Sequence, residues 1–201
     1  MKREKAKTSE YWANWCRVFL DGEVGQLQGT VLSNWQQTDE FPEDCKWVIY
    51  GLDFGYSNDP TSIVKLGYYD GSIYIDELLY QTGLTNSEIA NFIKNHDISQ
   101  IIADSAEPKS IEEIYRCGIN IKRAEKGKDS IMYGITLLQE YPLKVTKRSV
   151  NLIKELRNYS WQTDKEGKQI NKPIDMWNHC IDAIRYAAMY QLGRKKQVVW
   201  A

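Results

Sequence analysis

Trp47-Val-Ile-Tyr-Gly-Leu-Asp53-Phe54 is a nearly continuous apolar run that closes on a carboxylate and follows a break at Pro42. A run of this length predicts a strand buried on both faces, with Asp53 at its carboxyl end. Two further strand-like runs come next, Ser62-Ile-Val-Lys-Leu-Gly-Tyr-Tyr69 and Ser72-Ile-Tyr-Ile-Asp-Glu-Leu-Leu79, on either side of Asp70-Gly71. That dipeptide suits the positive φ angles of a tight hairpin turn, so three antiparallel strands are predicted to open the domain.

Beyond them the apolar spacing changes from strand to helix. Thr85 with Glu88 three residues later has the form of a capping box, and Ile89, Phe92 and Ile93 supply one apolar face. Gln100-Ile-Ile-Ala-Asp104 reads as a short strand, again with a carboxylate at its exit. Pro108 suits the first turn of a helix through Ile111, Ile114 and Tyr115, which Gly118 stops. The pattern then predicts a strand near Ile119–Arg123, a helix over Ile131–Tyr141, a strand at Leu143–Thr146 and a helix over Ser149–Trp161. Gln162–Pro173 is a polar, Lys-rich loop or hairpin. The closing helix is predicted from Ile174 to Leu192: Trp177, Ile181, Ile184, Ala188 and Leu192 form its apolar stripe, and Asp175, His179, Asp182 and Tyr186 line another face. The fold class is therefore α/β, a mixed sheet of three antiparallel strands followed by parallel strands, flanked by helices.

Composition sets the outer limits. The chain has 201 residues, 42% hydrophobic and 12% aromatic, enough to bury a substantial core. Residues 1–45 read as an aromatic-rich extension carrying Tyr11, Trp12, Trp15, Phe19 and Trp35, residues 46–193 as the folded domain, and residues 194–201 as a basic tail. The Met1-Lys-Arg-Glu-Lys5 start leads into polar residues, and no apolar run approaches the length of a spanning helix, which argues against secretion and membrane insertion. Cys16, Cys45, Cys117 and Cys180 are scattered without a CxxC pair, which fits reduced, buried thiols in a cytoplasm. Charge is uneven: residues 1–121 carry 10 basic and 19 acidic side chains, whereas residues 122–172 carry 12 and 6. A positive block beside an acidic one can hold a phosphate backbone near a cation-binding carboxylate cluster.

Asp53 and Asp104 end two strands, and Asp182 lies off the apolar stripe of the last helix. If the two strands are parallel neighbours, their carboxyl ends coincide, and three carboxylates gathered there repel one another unless divalent cations neutralise them. Hard oxygen donors favour two Mg²⁺ or Mn²⁺ ions over zinc, the arrangement of two-metal phosphodiester cleavage.

Gly51-Leu-Asp-Phe-Gly-Tyr-Ser-Asn-Asp-Pro-Thr61, Ile102-Ala-Asp-Ser-Ala-Glu-Pro-Lys-Ser110 and Asn178-His-Cys-Ile-Asp-Ala-Ile-Arg-Tyr-Ala187 together resemble the nuclease motifs of the large terminase subunit of tailed bacteriophages. The resemblance runs from about Tyr11 to Gly193. It implies an RNase H-like fold whose metal-binding acidic residues match Asp53, Asp104 and Asp182, and an endonuclease that cuts concatemeric double-stranded viral DNA during packaging in the host cytoplasm. It also implies a packaging ATPase domain, a portal and a small terminase subunit as partners. The sequence departs from that family in having no GxxxxGK[ST] phosphate loop, so the packaging motor is expected outside this chain.

Several neighbours have two readings. His179 either approaches the scissile phosphate or a metal-bound water, or packs at a helix start. Asp175 reads as a helix N-terminal residue, Asp59-Pro60 as a turn, Glu107 as a charge favouring a positive helix end, and Glu77 as a possible fourth carboxylate. Lys122, Arg123, Lys126, Lys128, Lys165, Lys168 and Lys172 are candidate phosphate contacts, or a solvated surface. A resolvase or transposase would use the same carboxylates on another DNA. Asp53-Phe-Gly-Tyr-Ser-Asn58 also resembles the phosphate-binding turn of actin-like ATPases, whose second lobe 201 residues leave little room for. A non-catalytic docking module is the third class.

Overall fold

The computed structural model describes residues 29–193. Tyr11, Trp12, Trp15 and Phe19 of the predicted extension, Cys16 and the basic tail lie outside the described residues. The strands are β1 (Trp35–Thr38), β2 (Trp47–Asp53), β3 (Thr61–Tyr69), β4 (Ser72–Gln81), β5 (Ile101–Ala103), β6 (Ile121–Arg123) and β7 (Leu143–Thr146). Among the described residues these form one mixed sheet in the order β1-β7-β4-β3-β2-β5-β6. β2, β3 and β4 are antiparallel, whereas β5 and β6 continue parallel to β2, and β7 and β1 continue parallel to β4. The β3–β4 turn uses Asp70 at φ 43° and Gly71 at φ 75°, the left-handed pair that a two-residue hairpin requires. A separate hairpin, β8 (Trp161–Thr163) with β9 (Gln169–Pro173), occupies the segment read as a Lys-rich loop or hairpin.

Five helices cover the large sheet among the described residues: α1 (Asn86–Asn95), α2 (Pro108–Arg116), α3 (Ser130–Gln139), α4 (Val150–Asn158) and α5 (His179–Gly193). Thr85 and Glu88 make the reciprocal capping-box bonds at the start of α1, satisfying two otherwise orphaned amides. Strand alternation separates two cores. Leu52, Ile63, Ile101 and Ala103 join Ile89, Ile93, Ile111 and Ile114 from α1 and α2 on one face. Ile49, Val64, Ile75, Ile102 and Val145 join residues of α3, α4 and α5 on the other.

The fold departs from the sequence reading in four places. The sheet reaches back beyond residue 46, because β1 pairs in register with β7 and Val31 and Leu32 are buried in the core. The closing helix starts at His179, not Ile174: Trp177 sits at φ 61°, which a right-handed helix cannot contain. The helix read to Trp161 stops at Asn158, and Trp161 instead opens β8. Of the described thiols only Cys180 is buried; Cys45 is half-buried and Cys117 exposed.

Candidate active site

Gly51 explains how the last helix reaches the strand ends. A side chain there would place its first carbon 1.9 Å from the Ala183 carbonyl oxygen, so α5 crosses β2 in backbone contact. Two residues on, and therefore on the same face, is Asp53. In the neighbouring strand Gly51 is paired with Ile102 and Leu52 with Ala103, and the Asp104 amide donates to Leu52 O at 3.2 Å, which makes Asp53 and Asp104 the next pair of the parallel register. Asp182, one residue before the close approach at Ala183, completes the group from above. Ser62 Oγ donates to the His179 carbonyl at 2.9 Å and ties the first turn of α5 to β3.

Each carboxylate meets a cation or a shared proton. Arg185, 3% exposed, donates from Nε and Nη2 to Asp182 Oδ1 at 3.0 and 2.7 Å. Asp104 Oδ1 pairs with Lys126 and accepts the Ala106 amide at 2.8 Å, while its Oδ2 accepts Tyr186 OH at 3.1 Å. His179 Nδ1 lies 3.4 Å from Asp53 Oδ2, and its Nε2 lies 3.7 Å from Asp59 Oδ1. Burial pushes Asp53 up to about 6 against the hydrogen bond from His179, and Asp182 and Asp104 push the same way. Burial also raises Asp182 despite Arg185 and Lys126, with Asp104 again unfavourable. Asp104 is held below the usual carboxylate range, because Lys126, the Ala106 amide and Tyr186 together outweigh its burial. His179 is raised, first by its bond to Asp53. The three acids thus feel one another, as a shared site requires.

An open cleft of about 890 Å³ adjoins Asp53, walled by Phe54, Asn58, Tyr80, Met176, Trp177 and His179. Asp175 also lines it, in the segment before α5, so it is not the helix N-terminal residue predicted. Asp59 is exposed across from His179. Glu77 points elsewhere: it accepts Asn151 Nδ2 at 2.6 Å and the Leu152 amide at 2.8 Å, capping α4. Glu107 is exposed ahead of α2, where Ser110 Oγ donates to it at 3.3 Å. Lys122 donates to Tyr190 OH at 2.9 Å. Arg123, Lys128, Lys165, Lys168 and Lys172 are exposed, the last three on or beside the β8–β9 hairpin, whose second strand leads into the cleft wall at 174–178.

Sequence reasoning did not find Glu155 or Arg185. Glu155 is 1% exposed; it accepts the Ile181 amide at 3.1 Å and Tyr80 OH at 3.2 Å, and so anchors the start of α5 from α4. Burial, only partly opposed by those bonds, lifts it to about 7. The available signals were a charge set among Leu152, Ile153 and Leu156 at helical spacing, and the three-residue step from Asp182 to Arg185.

A mixed sheet of this order with acidic side chains gathered at the carboxyl ends of two parallel strands defines an RNase H-like domain. A family model described as the terminase RNAseH like domain matches residues 53–189. The large terminase subunit of Bacillus phage SPP1 is 39% identical over 159 residues, covering 75% of this chain and 37% of that protein. The PBSX phage terminase large subunit of Bacillus subtilis is 30% identical over 144 residues, 68% of this chain and 33% of that one. The solved nuclease domain of the SPP1 large terminase, g2p, with bound Mn, superimposes with a TM-score of 0.69 at 35% identity, covering 77% of this chain and 95% of that domain. The large terminase nuclease of thermophilic phage G20c with bound magnesium, 19% identical with a TM-score of 0.60 and covering 80% of this chain and 97% of that one, shares the fold. The chain belongs to the terminase RNase H-like family and corresponds to the nuclease domain of a phage large terminase subunit. It spans roughly a third of the length of the two curated relatives.

The donor set of three carboxylates suits a hard divalent cation: Asp104 and Asp182 raise the proton affinity of Asp53, and Asp104 raises that of Asp182. As they stand, among the described residues no three His, Cys, Asp or Glu side chains converge closely enough to enclose an ion. Lys126 and Arg185 draw Asp104 and Asp182 to themselves, so the positive charge a metal would bring is supplied by side chains.

Proposed function

We propose that this domain is a metal-dependent DNA endonuclease that cuts concatemeric double-stranded DNA during phage genome packaging in a bacterial host. The observation that carries this reading is the placement of Asp53 and Asp104 at paired parallel strand ends and of Asp182 on the helix that crosses β2 in backbone contact, in a chain whose relative's nuclease domain was solved with Mn. Asp53, Asp104 and Asp182 would hold two Mg²⁺ or Mn²⁺ ions, which supply an activated water and a counter-charge for the leaving oxygen. His179, leaning on Asp53 at the mouth of the cleft, orients the attacking water or takes its proton. Tyr186 and the Ala106 amide fix the rotamer of Asp104, and Glu155 fixes the first turn of α5 and with it the height of His179 and Asp182. Exposed Arg123, Lys128, Lys165, Lys168 and Lys172 contact phosphates without reading bases, so cutting has little sequence preference. A packaging ATPase domain, the portal and a small terminase subunit complete the assembly.

Supercoiled plasmid incubated with the chain and Mn²⁺ or Mg²⁺ is expected to be nicked and linearised, and excess EDTA to abolish it. Full cleavage in chelator would overturn the metal mechanism, and no cleavage with either ion would leave a docking module.

A further inference from the structure

Besides His179 on Asp53, two permanent cations serve the carboxylate cluster, and they are held very differently. Arg185 is 3% exposed and sits on α5 three residues from Asp182. Lys126 comes from the 124–129 loop, and its side chain is 34% exposed. The loop is pinned beside the site by the bond from the Ala124 amide to the carbonyl oxygen of Ala103, the residue that precedes Asp104, at 2.8 Å. From there Lys126 pairs with Asp104 Oδ1 and lies 5.0 Å from the centre of the Tyr186 ring. Its charge also reaches Asp182. The ammonium therefore sits on one of the three acids and its charge is felt by a second, on a flexible stem open to solvent.

We propose that Lys126 is the exchangeable counter-charge of this site: its ammonium holds Asp104 and Asp182 together in the metal-free protein, leaves when a divalent cation binds, and thereby sets the affinity for that cation. The proposal rests on the carboxylate-site reading above. Charge balances without any further reactant, since one ammonium moves to water as the ion enters. Without Lys126, Asp182 keeps Arg185 and Asp53 keeps His179, but Asp104 loses its cation and repels the other two in the metal-free state, so the lysine preserves the fold at the cost of competing with the metal.

The test is Mn²⁺ binding by calorimetry, with melting curves in chelator and in saturating Mn²⁺, on wild type, Lys126→Met and Asp104→Asn. Lys126→Met is expected to bind Mn²⁺ roughly tenfold more tightly, to melt lower in chelator, and to gain more on adding metal. Asp104→Asn is expected to bind more weakly than wild type. If Asp104→Asn loses affinity while Lys126→Met keeps the wild-type value or weakens, the exchange is wrong and the carboxylate site stands. If Asp104→Asn binds like wild type, the site reading fails and the exchange falls with it. A purely structural lysine lowers melting equally with and without metal and leaves affinity unmoved, which also overturns the proposal. The unmutated chain gives a second measurement: the ¹⁵N signal of the Lys126 ammonium, slowed by its Asp104 partner, should collapse as Mg²⁺ is titrated, and its persistence at saturation contradicts displacement.

Discussion

The same strands present two faces of opposite character. Leu52, Ile101 and Ala103 look toward α1 and α2, into a core whose buried members are all aliphatic. Their immediate neighbours Gly51, Asp53, Ile102 and Asp104 look toward α5, where Glu155 and Arg185 are buried as well. One residue of alternation thus divides a cohesive layer from a charged one. The aliphatic face secures the domain and leaves the other free to gather like charges that only cations can reconcile.

The contrast breaks most visibly on the aliphatic side. Ile114, fully buried between α2 and the sheet, should cost about 3 kcal/mol on truncation to Ala, measured by urea unfolding, with Mn²⁺ affinity of the folded fraction unchanged. A matching loss of affinity would show the faces are coupled. Gly51→Ala probes the charged side: the added methyl meets the Ala183 carbonyl, so about 2 kcal/mol should be lost, and here Mn²⁺ affinity should fall too because α5 is displaced. An Ala variant with wild-type stability and binding would mean that the helix is not seated on β2.

Titration sharpens the comparison, since Asp53 and Glu155, two acids that burial raises, both lie on the α5 face. Asp53 at about 6 and Glu155 at about 7 lie above their unfolded values, so the fold takes up protons more readily than the unfolded chain does. Their contribution is complete below about pH 4 and is lost as pH rises through 6 to 7. In chelator the chain should therefore lose stability between about pH 4 and about pH 7, and Glu155→Gln should reduce that loss by on the order of 2 kcal/mol. An unchanged slope would remove Glu155 from the account. The smallest stability effect belongs to Asp53→Asn at pH 7.5: equal or slightly higher metal-free stability, about 1 kcal/mol at most, with the gain on adding Mn²⁺ reduced.

Local chemistry was legible where it decided structure on its own. The Asp70-Gly71 turn, the Thr85–Glu88 box and the carboxylates ending two apolar runs needed no distant partner. What stayed hidden depended on segments far apart in sequence. Trp35-Gln-Gln-Thr38 is polar in three of its four residues and becomes a strand only by pairing with β7, about a hundred residues on. The helical spacing of α5 ran smoothly back through Trp177, whose left-handed backbone no periodicity reveals. Asp53, Asp104 and Asp182 could be named from their positions, but Lys126 as the partner of Asp104 could not, since it read as one more basic residue of a positive block. Gly51, one unremarked member of a predicted strand, proved to be where the last helix touches the sheet.

The central claim is that Asp53, Asp104 and Asp182 act as one cation-dependent unit. Plasmid nicking in Mn²⁺, run on Asp53→Asn, Asp104→Asn and Asp182→Asn preparations whose melting curves show them folded, tests it most directly. The account predicts a fall of orders of magnitude for each single variant, losses that do not add when variants are combined, and wild-type nicking by Asp97→Asn, whose exposed carboxylate lies just past the end of α1. A folded Asp104→Asn or Asp182→Asn that nicks like wild type would contradict it.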